Sequence, residues 1–229
     1  MAAVQGDAPV PFPHLIAVLV GVALPQVGSS VRARRAHAGD AREPLGWRIL
    51  LPVALTATAL GTLFGSTEVV TFAFTEQLGR QVLAGPLLAT WALGSLLAGV
   101  ATGSVPWRAS PTRRLRLGAG AMACAMLPLP FVTSIPALGA ALFVAGFAIA
   151  PTLIAMVAVV EAHVPASRLT EGISWSTTGL TAGIAPGAAV AGRLVDRDGT
   201  SAGFTVPLAA GVVAVTVALF VRSAESGHP

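Results

Sequence analysis

The sequence predicts an all-α, polytopic membrane helix bundle with about six to seven transmembrane helices, and three observations predict it. The chain of 229 residues is 54% hydrophobic and only 10% charged, with a mean hydropathy of +0.77. So few polar side chains cannot cover a water-soluble globule of this size. Apolar runs close to the length of a membrane-crossing helix, about 20 residues, recur along the chain. Between them the basic residues, all Arg, cluster in short polar segments, the charge signature of loops held on the cytoplasmic side.

The apolar runs are Phe12–Val27, Ile49–Phe74, Val82–Val105, Leu117–Val132, Pro136–Val160, Leu169–Ala191 and Gly203–Val221. The first and fourth are marginal in length for a crossing. This divides the chain into an N-terminal segment, 1–46, with one marginal span and a basic cytoplasmic loop, and a six-helix domain, 47–229. Residues 1–11 contain no basic residue, which suits an outside end and argues against a cleaved signal peptide.

Orientation follows from the arginines. With the loop carrying Arg108, Arg113, Arg114 and Arg116 inside, the inner segments are 29–48, 106–116, 161–170 and 222–229. They hold every Arg of the fourteen except Arg80, Arg193 and Arg197. Arg-rich short loops stay inside, so the N-terminus is expected outside and the C-terminus in the cytoplasm. The chain is expected in the cell membrane, with the lipid bilayer as its first partner.

Two helices carry patterned small and polar residues. Gly179, Gly183 and Gly187 recur every fourth residue, so they share one face where a neighbouring backbone can approach closely. Ser174, Thr177, Thr178 and Thr181 lie on the opposite face of the same helix. Either these hydroxyls line a polar cavity, or they bond their own helix carbonyls four residues back. In the run Ile49–Phe74, Thr58, Gly61, Thr62 and Gly65 share a face and Glu68 falls near its edge. Gly61 and Gly65 are expected to pack against a helix, while Thr58 and Thr62, with Glu68 and the hydroxyls of the other helix, are expected to form an open polar face for substrate or coupling. A carboxylate within a span is a functional candidate for substrate or coupling. Glu68 also lies about 10 Å outward of the helix midpoint at ~1.5 Å per residue, where hydration or interhelical hydrogen bonding would hold it.

Other chemistries find no footing. The basic clusters are short and lack interleaved aromatics for stacking on bases, so nucleic acid is not expected as a partner. Cys124 stands alone, and no His, Cys and carboxylate spacing resembles a metal site. No nucleophile has a base nearby within a span, so neither an enzyme nor a bound cofactor is expected.

The stretch Gly146-Phe147-Ala148-Ile149-Ala150-Pro151-Thr152-Leu153, followed by Glu161, Val164-Pro165, Arg168, Thr170-Glu171 and Trp175, resembles the tenth and eleventh helices of bacterial major facilitator superfamily permeases. Ala84-Gly85-Pro86 with Trp91 and Gly94-Ser95 is similar to the eighth helix. Ala191-Gly192-Arg193-Leu194-Val195-Asp196 with Gly199 is similar to the connection before the last helix. The resemblance covers about residues 47–222, the C-terminal six-helix half. It departs from the family in the segment Gly99 to Arg116, which keeps the glycines and arginines of the family's loop but lacks its acidic residue, so anchoring rather than charge relay is expected of that loop. Pro25-Gln26-Val27-Gly28 with Arg32-Ala33-Arg34 resembles the end of a fourth helix, with no room for a fifth and sixth before the next run. The chain therefore reads as a truncated permease.

The resemblance implies transport of a small solute by alternating access, as an exporter, with substrate held between two six-helix halves. A second half or a homodimer is then the expected partner. The alternative is a non-transporting membrane remnant or an interaction module.

Overall fold

The structure, a computed structural model, describes residues 47–104 and 109–221. The first apolar run, the N-terminal basic loop with Arg32, Arg34, Arg35 and Arg42, and Arg108 and Arg222 lie outside the described residues, as do the two chain ends. Among the described residues every regular element is helical. The helices are α1 (Trp47–Gln77), α2 (Ala84–Ser104), α3 (Pro111–Met126), α4 (Ile135–Gly146), α5 (Ile149–His163), α6 (Leu169–Asp198), the single turn α7 (Thr200–Gly203) and α8 (Thr205–Phe220). Four helical stretches are long and apolar enough to cross a membrane: Arg48–Gln77, Gln81–Ser104, Ile135–His163 and Thr200–Phe220. The stretches α3 and α6 fall outside that set. α3 has only 16 residues, and the apolar character of α6 is diluted by its hydroxyls, glycines and terminal charges.

Helix boundaries differ from the apolar runs for local reasons. α3 starts at Pro111, so Arg113, Arg114 and Arg116 sit on its first turns rather than in a loop. The Ser110 side chain accepts from the Arg113 backbone N–H, and Pro111 occupies a first-turn position where its missing N–H costs nothing. The run Pro136–Val160 is broken into α4 and α5. Phe147 and Ala148 turn tighter, donating to Val144 and Ala145 three residues back, and Pro151 can donate to no carbonyl at all. α6 continues through Arg193, Asp196 and Arg197 and stops only at Gly199, whose φ of 84° suits glycine. The stretch Ala191–Asp196 is therefore helix and not a connection.

The closest helix pairs are parallel and not consecutive in sequence. Gly179, Gly183 and Gly187 of α6 meet Ala54, Thr58 and Thr62 of α1 in that order, so the two helices run the same way. α2 pairs likewise with the α4–α5 segment, Leu87 meeting Gly139, Trp91 and Gly94 meeting Gly146, and Gly99 meeting Ala150. α3 is antiparallel to α5 through Gly118 and Thr152, and antiparallel to α8 through Ala123 and Gly211. The α7–α8 segment is antiparallel to α1, with Gly211 of α8 against Leu63 and Gly203 of α7 against Val70.

Exchanging α1 with α4–α5, α2 with α6, and α3 with α8 preserves these pairings. Each exchanged partner runs in the opposite direction, so the bundle has an internal inverted repeat of three helices.

Buried side chains form two clusters at opposite ends. One joins Leu50, Val53, Leu115, Val159, Ala218 and Val221. The other is larger and includes Leu60, Leu63, Phe74, Met126, Leu142 and Phe204, with the Phe74 and Phe204 rings 6.2 Å apart. Outside, large apolar side chains such as Leu96, Leu97 and Val100 on α2 and Val212 and Val213 on α8 are exposed. Exposed apolar side chains in this number suit an apolar surrounding.

Candidate functional site

α1 and α6 make a seam in which backbone touches backbone. A Cβ on Gly61 would overlap the Leu180 carbonyl oxygen, and one on Gly65 the Ile184 carbonyl oxygen. From the other side, Cβ atoms on Gly183 and Gly187 would overlap the carbonyl oxygens of Thr58 and Thr62. Only hydrogen at these positions permits such an approach. Gly179, Gly183 and Gly187 are all buried.

Thr58 and Thr62 belong to this seam. Thr58 donates to its own helix at Ala54 (3.0 Å). Thr62 donates to Thr58 (3.0 Å) and also reaches the Gly183 carbonyl across the seam (3.2 Å). The expected continuous polar face, Thr58 and Thr62 together with the α6 hydroxyls, is therefore divided. Close packing turns the α1 pair into the interface, while Ser174, Thr177, Thr178 and Thr181 remain exposed on the far side of α6.

Three of those hydroxyls keep their protons within the helix. Ser174 donates to Thr170 (2.7 Å), Thr177 to Ile173 (3.1 Å), and Thr181 to Thr177 and Thr178 (both 3.1 Å). Self-bonding of this kind satisfies the donor but leaves lone pairs facing outward. A groove of about 380 Å³ runs along this face, lined by Thr170, Ile173, Ser174, Thr177 and Thr178.

Glu68 is exposed on α1. The seam register, Gly179 beside Ala54, puts it roughly 20 Å along the axis from the α6 hydroxyls at ~1.5 Å per residue. It is one turn beyond Phe64, whose ring meets Trp91 edge to face with centroids 5.5 Å apart. The Trp91 indole N–H is buried there and has no hydrogen-bond partner among the described residues. Glu68 and the α6 hydroxyl row are thus two separate features, and a single ligand of small size cannot touch both.

Arg116 ties α3 to the end of α8. Its Nε donates to the Ala218 carbonyl (3.2 Å) and its Nη2 to those of Leu219 (3.1 Å) and Val221 (2.6 Å). These carbonyls lie at the C-terminal end of α8, where Ala218 also accepts from the Val221 backbone N–H, and a cation there complements the helix dipole. Arg168 pairs with Glu171 at 2.7 Å at the start of α6. Cys124 is exposed on α3.

Sequence reasoning missed the partner of Arg116, the buried donor of Trp91, and a ladder of buried hydroxyls on α1. Thr67, Thr71 and Thr75 are fully buried, donating to Leu63, Thr67 and Phe72 respectively. The ladder was detectable from its four-residue spacing. The other two depend on which helices become neighbours. Compared with known proteins, the chain matches no family model, no curated protein and no solved structure.

Proposed function

We propose that the chain is a six-helix body of a permease of the major facilitator superfamily type, embedded in the cell membrane, which moves a small solute outward by alternating access. The observation that carries this reading is the inverted repeat: two three-helix units of opposite direction, each contributing a glycine-lined contact to a parallel helix pair. Inverted repeats give transporters two related ways of packing the same elements, which is what alternating access needs.

The remaining features support the same reading. The α4–α5 break lies at the middle of the stretch Ile135–His163, and interrupted helices at mid-depth are where transporters leave backbone groups for solute or ion. Glu68 would serve coupling, as an exposed carboxylate on a predominantly apolar helix. In such permeases the solute path lies between two six-helix bodies. The described residues supply one, so a second copy or another membrane protein completes the path.

The test uses the full chain in sealed vesicles loaded with a uniformly 13C-labelled small-molecule extract, with export read by mass spectrometry. Cross-linked assemblies should export at least one compound and isolated single chains none. Assemblies that export nothing would leave the chain as a non-transporting membrane module, and export by single chains would remove the second body.

A further inference from the structure

The C-terminal end of α6 carries a second groove, of about 410 Å³, lined by Val190, Arg193, Leu194, Asp196 and Arg197. Its residues repeat along the helix. Val190 precedes Arg193 and Leu194 precedes Arg197 by the same interval, so each guanidinium has an apolar neighbour one turn back. Val190 and both arginines are exposed. Neither arginine makes a hydrogen bond or an ion pair among the described residues. Asp196 lines the same groove without pairing to either, which leaves the groove with an excess of positive charge.

The chemistry of the helix alone does not account for this pair. The helix dipole favours a cation in the last turn, where Arg197 stands, but the effect fades beyond that turn and does not reach back to Arg193. Like charges four residues apart on a helix also repel. An anion shared between them removes the repulsion, and the planar guanidinium fork matches phosphate oxygens two at a time. The apolar pair favours a phosphate that carries hydrocarbon over a free one. Val190 and Leu194 continue the groove away from the charged helix end, and arginine stems lie naturally along such a surface with their heads at its wet edge.

We propose that this groove seats an anionic phospholipid, its phosphate between Arg193 and Arg197 and the start of an acyl chain on Val190 and Leu194. The site rests on the permease reading only in placing α6 across a bilayer. Asp196 tempers the positive charge, so the groove discriminates by the single excess charge and holds a lipid of net negative headgroup over a zwitterionic one that shares the same phosphate.

The experiment uses the full chain with Cys124→Ser and a benzophenone carried on a cysteine at Ala189, an exposed position one turn before Arg193. Nanodiscs contain phosphatidylglycerol and phosphatidylcholine in equal amounts with identical acyl chains, and mass spectrometry identifies the lipid cross-linked at 189. Phosphatidylglycerol adducts should exceed phosphatidylcholine adducts by about fivefold, the discrimination that one excess basic charge gives at a membrane surface. Arg193→Gln with Arg197→Gln should bring the ratio to about one on the same ground. Arg193→Lys with Arg197→Lys should keep a reduced preference, since charge remains and the bidentate fork is lost. Arg113→Gln with Arg114→Gln, on α3, should leave the ratio unchanged. The substituted positions are exposed, and an unchanged elution profile on gel filtration verifies that the variants fold. A parent ratio of one, or a preference that survives the loss of Arg193 and Arg197, overturns the proposal. Displacement of the lipid adducts by added glycerol phosphate would make the ligand a soluble phosphate ester and overturn it as well. Lipid adducts without preference would sink the site and leave the permease reading standing. The absence of any lipid adduct would place this end of α6 away from the bilayer and sink both.

Discussion

Gly61 and Gly183 face each other reciprocally across the α1–α6 seam. A Cβ on Gly61 would strike the carbonyl of Leu180, three residues before Gly183, and a Cβ on Gly183 would strike the carbonyl of Thr58, three residues before Gly61. Gly146 and Gly94 repeat this relationship in the other parallel pair, striking the carbonyls of Trp91 and Phe143, again three residues before the partner glycine. One contact geometry, with glycine on both sides, thus joins α1 to α6 and α4 to α2.

Substitutions at the two seams should therefore behave alike. Gly183→Ala and Gly94→Ala each force a methyl against a backbone oxygen that cannot rotate away, and each should cost about 1–3 kcal/mol by overpacking. Gly85→Ala and Gly120→Ala meet open space and should be neutral or slightly stabilising, since alanine is the better helix former. Thermal unfolding of the purified chain in detergent would show two pairs of midpoints. Equal midpoints for all four variants would mean that neither seam is closed.

Arg116→Leu should destabilise the end of α8. It removes the donors to Ala218, Leu219 and Val221, at a cost of about 1–2 kcal/mol for a partly exposed charged donor at a helix C-terminus. Arg116→Lys should recover part of this, because an ammonium reaches one carbonyl well but not three at once. Hydrogen exchange at the α8 end, faster in Arg116→Leu than in Arg116→Lys, checks the order. Identical exchange in both variants and the parent would mean that the cap contributes nothing.

Glu68→Gln separates a coupling role from a structural one. Glu68 is exposed and makes no ion pair among the described residues, so neutralising it should leave the unfolding midpoint within about 0.5 kcal/mol of the parent. Export by assembled chains should fall. A fallen midpoint with unchanged export would assign Glu68 to packing.

What the sequence made legible was periodic. Glycines four apart on α6 marked a face for close approach, and the hydroxyls marked the opposite face, because helical geometry alone settles which residues share a side. The partner of each face was not legible, since α1 pairs with a helix more than a hundred residues away. Thr58 and Thr62 share a stripe with Gly61 and Gly65, and the same periodicity that suggested a cavity wall equally describes a seam. The span Pro136–Val160 carried its Pro151, but the break three to four residues earlier depends on carbonyls released to three-residue bonds at Phe147 and Ala148. Ala191–Asp196 with Gly199 suggested a connection by resemblance, yet the helix runs on to Asp198, its charged Arg193, Asp196 and Arg197 exposed.

The permease reading requires the bundle to cross the membrane with alternating direction. The most direct measurement replaces Cys124, the sole cysteine, with serine and places single cysteines at Ser110, Asp198 and Ser134, all exposed. A membrane-impermeant maleimide applied to intact cells should label the cysteines at 198 and 134 and leave that at 110 unlabelled until the cells are opened. Labelling of 110 together with 198 from the same side would contradict the crossing of α6, the inverted repeat in the membrane, and with them the permease reading.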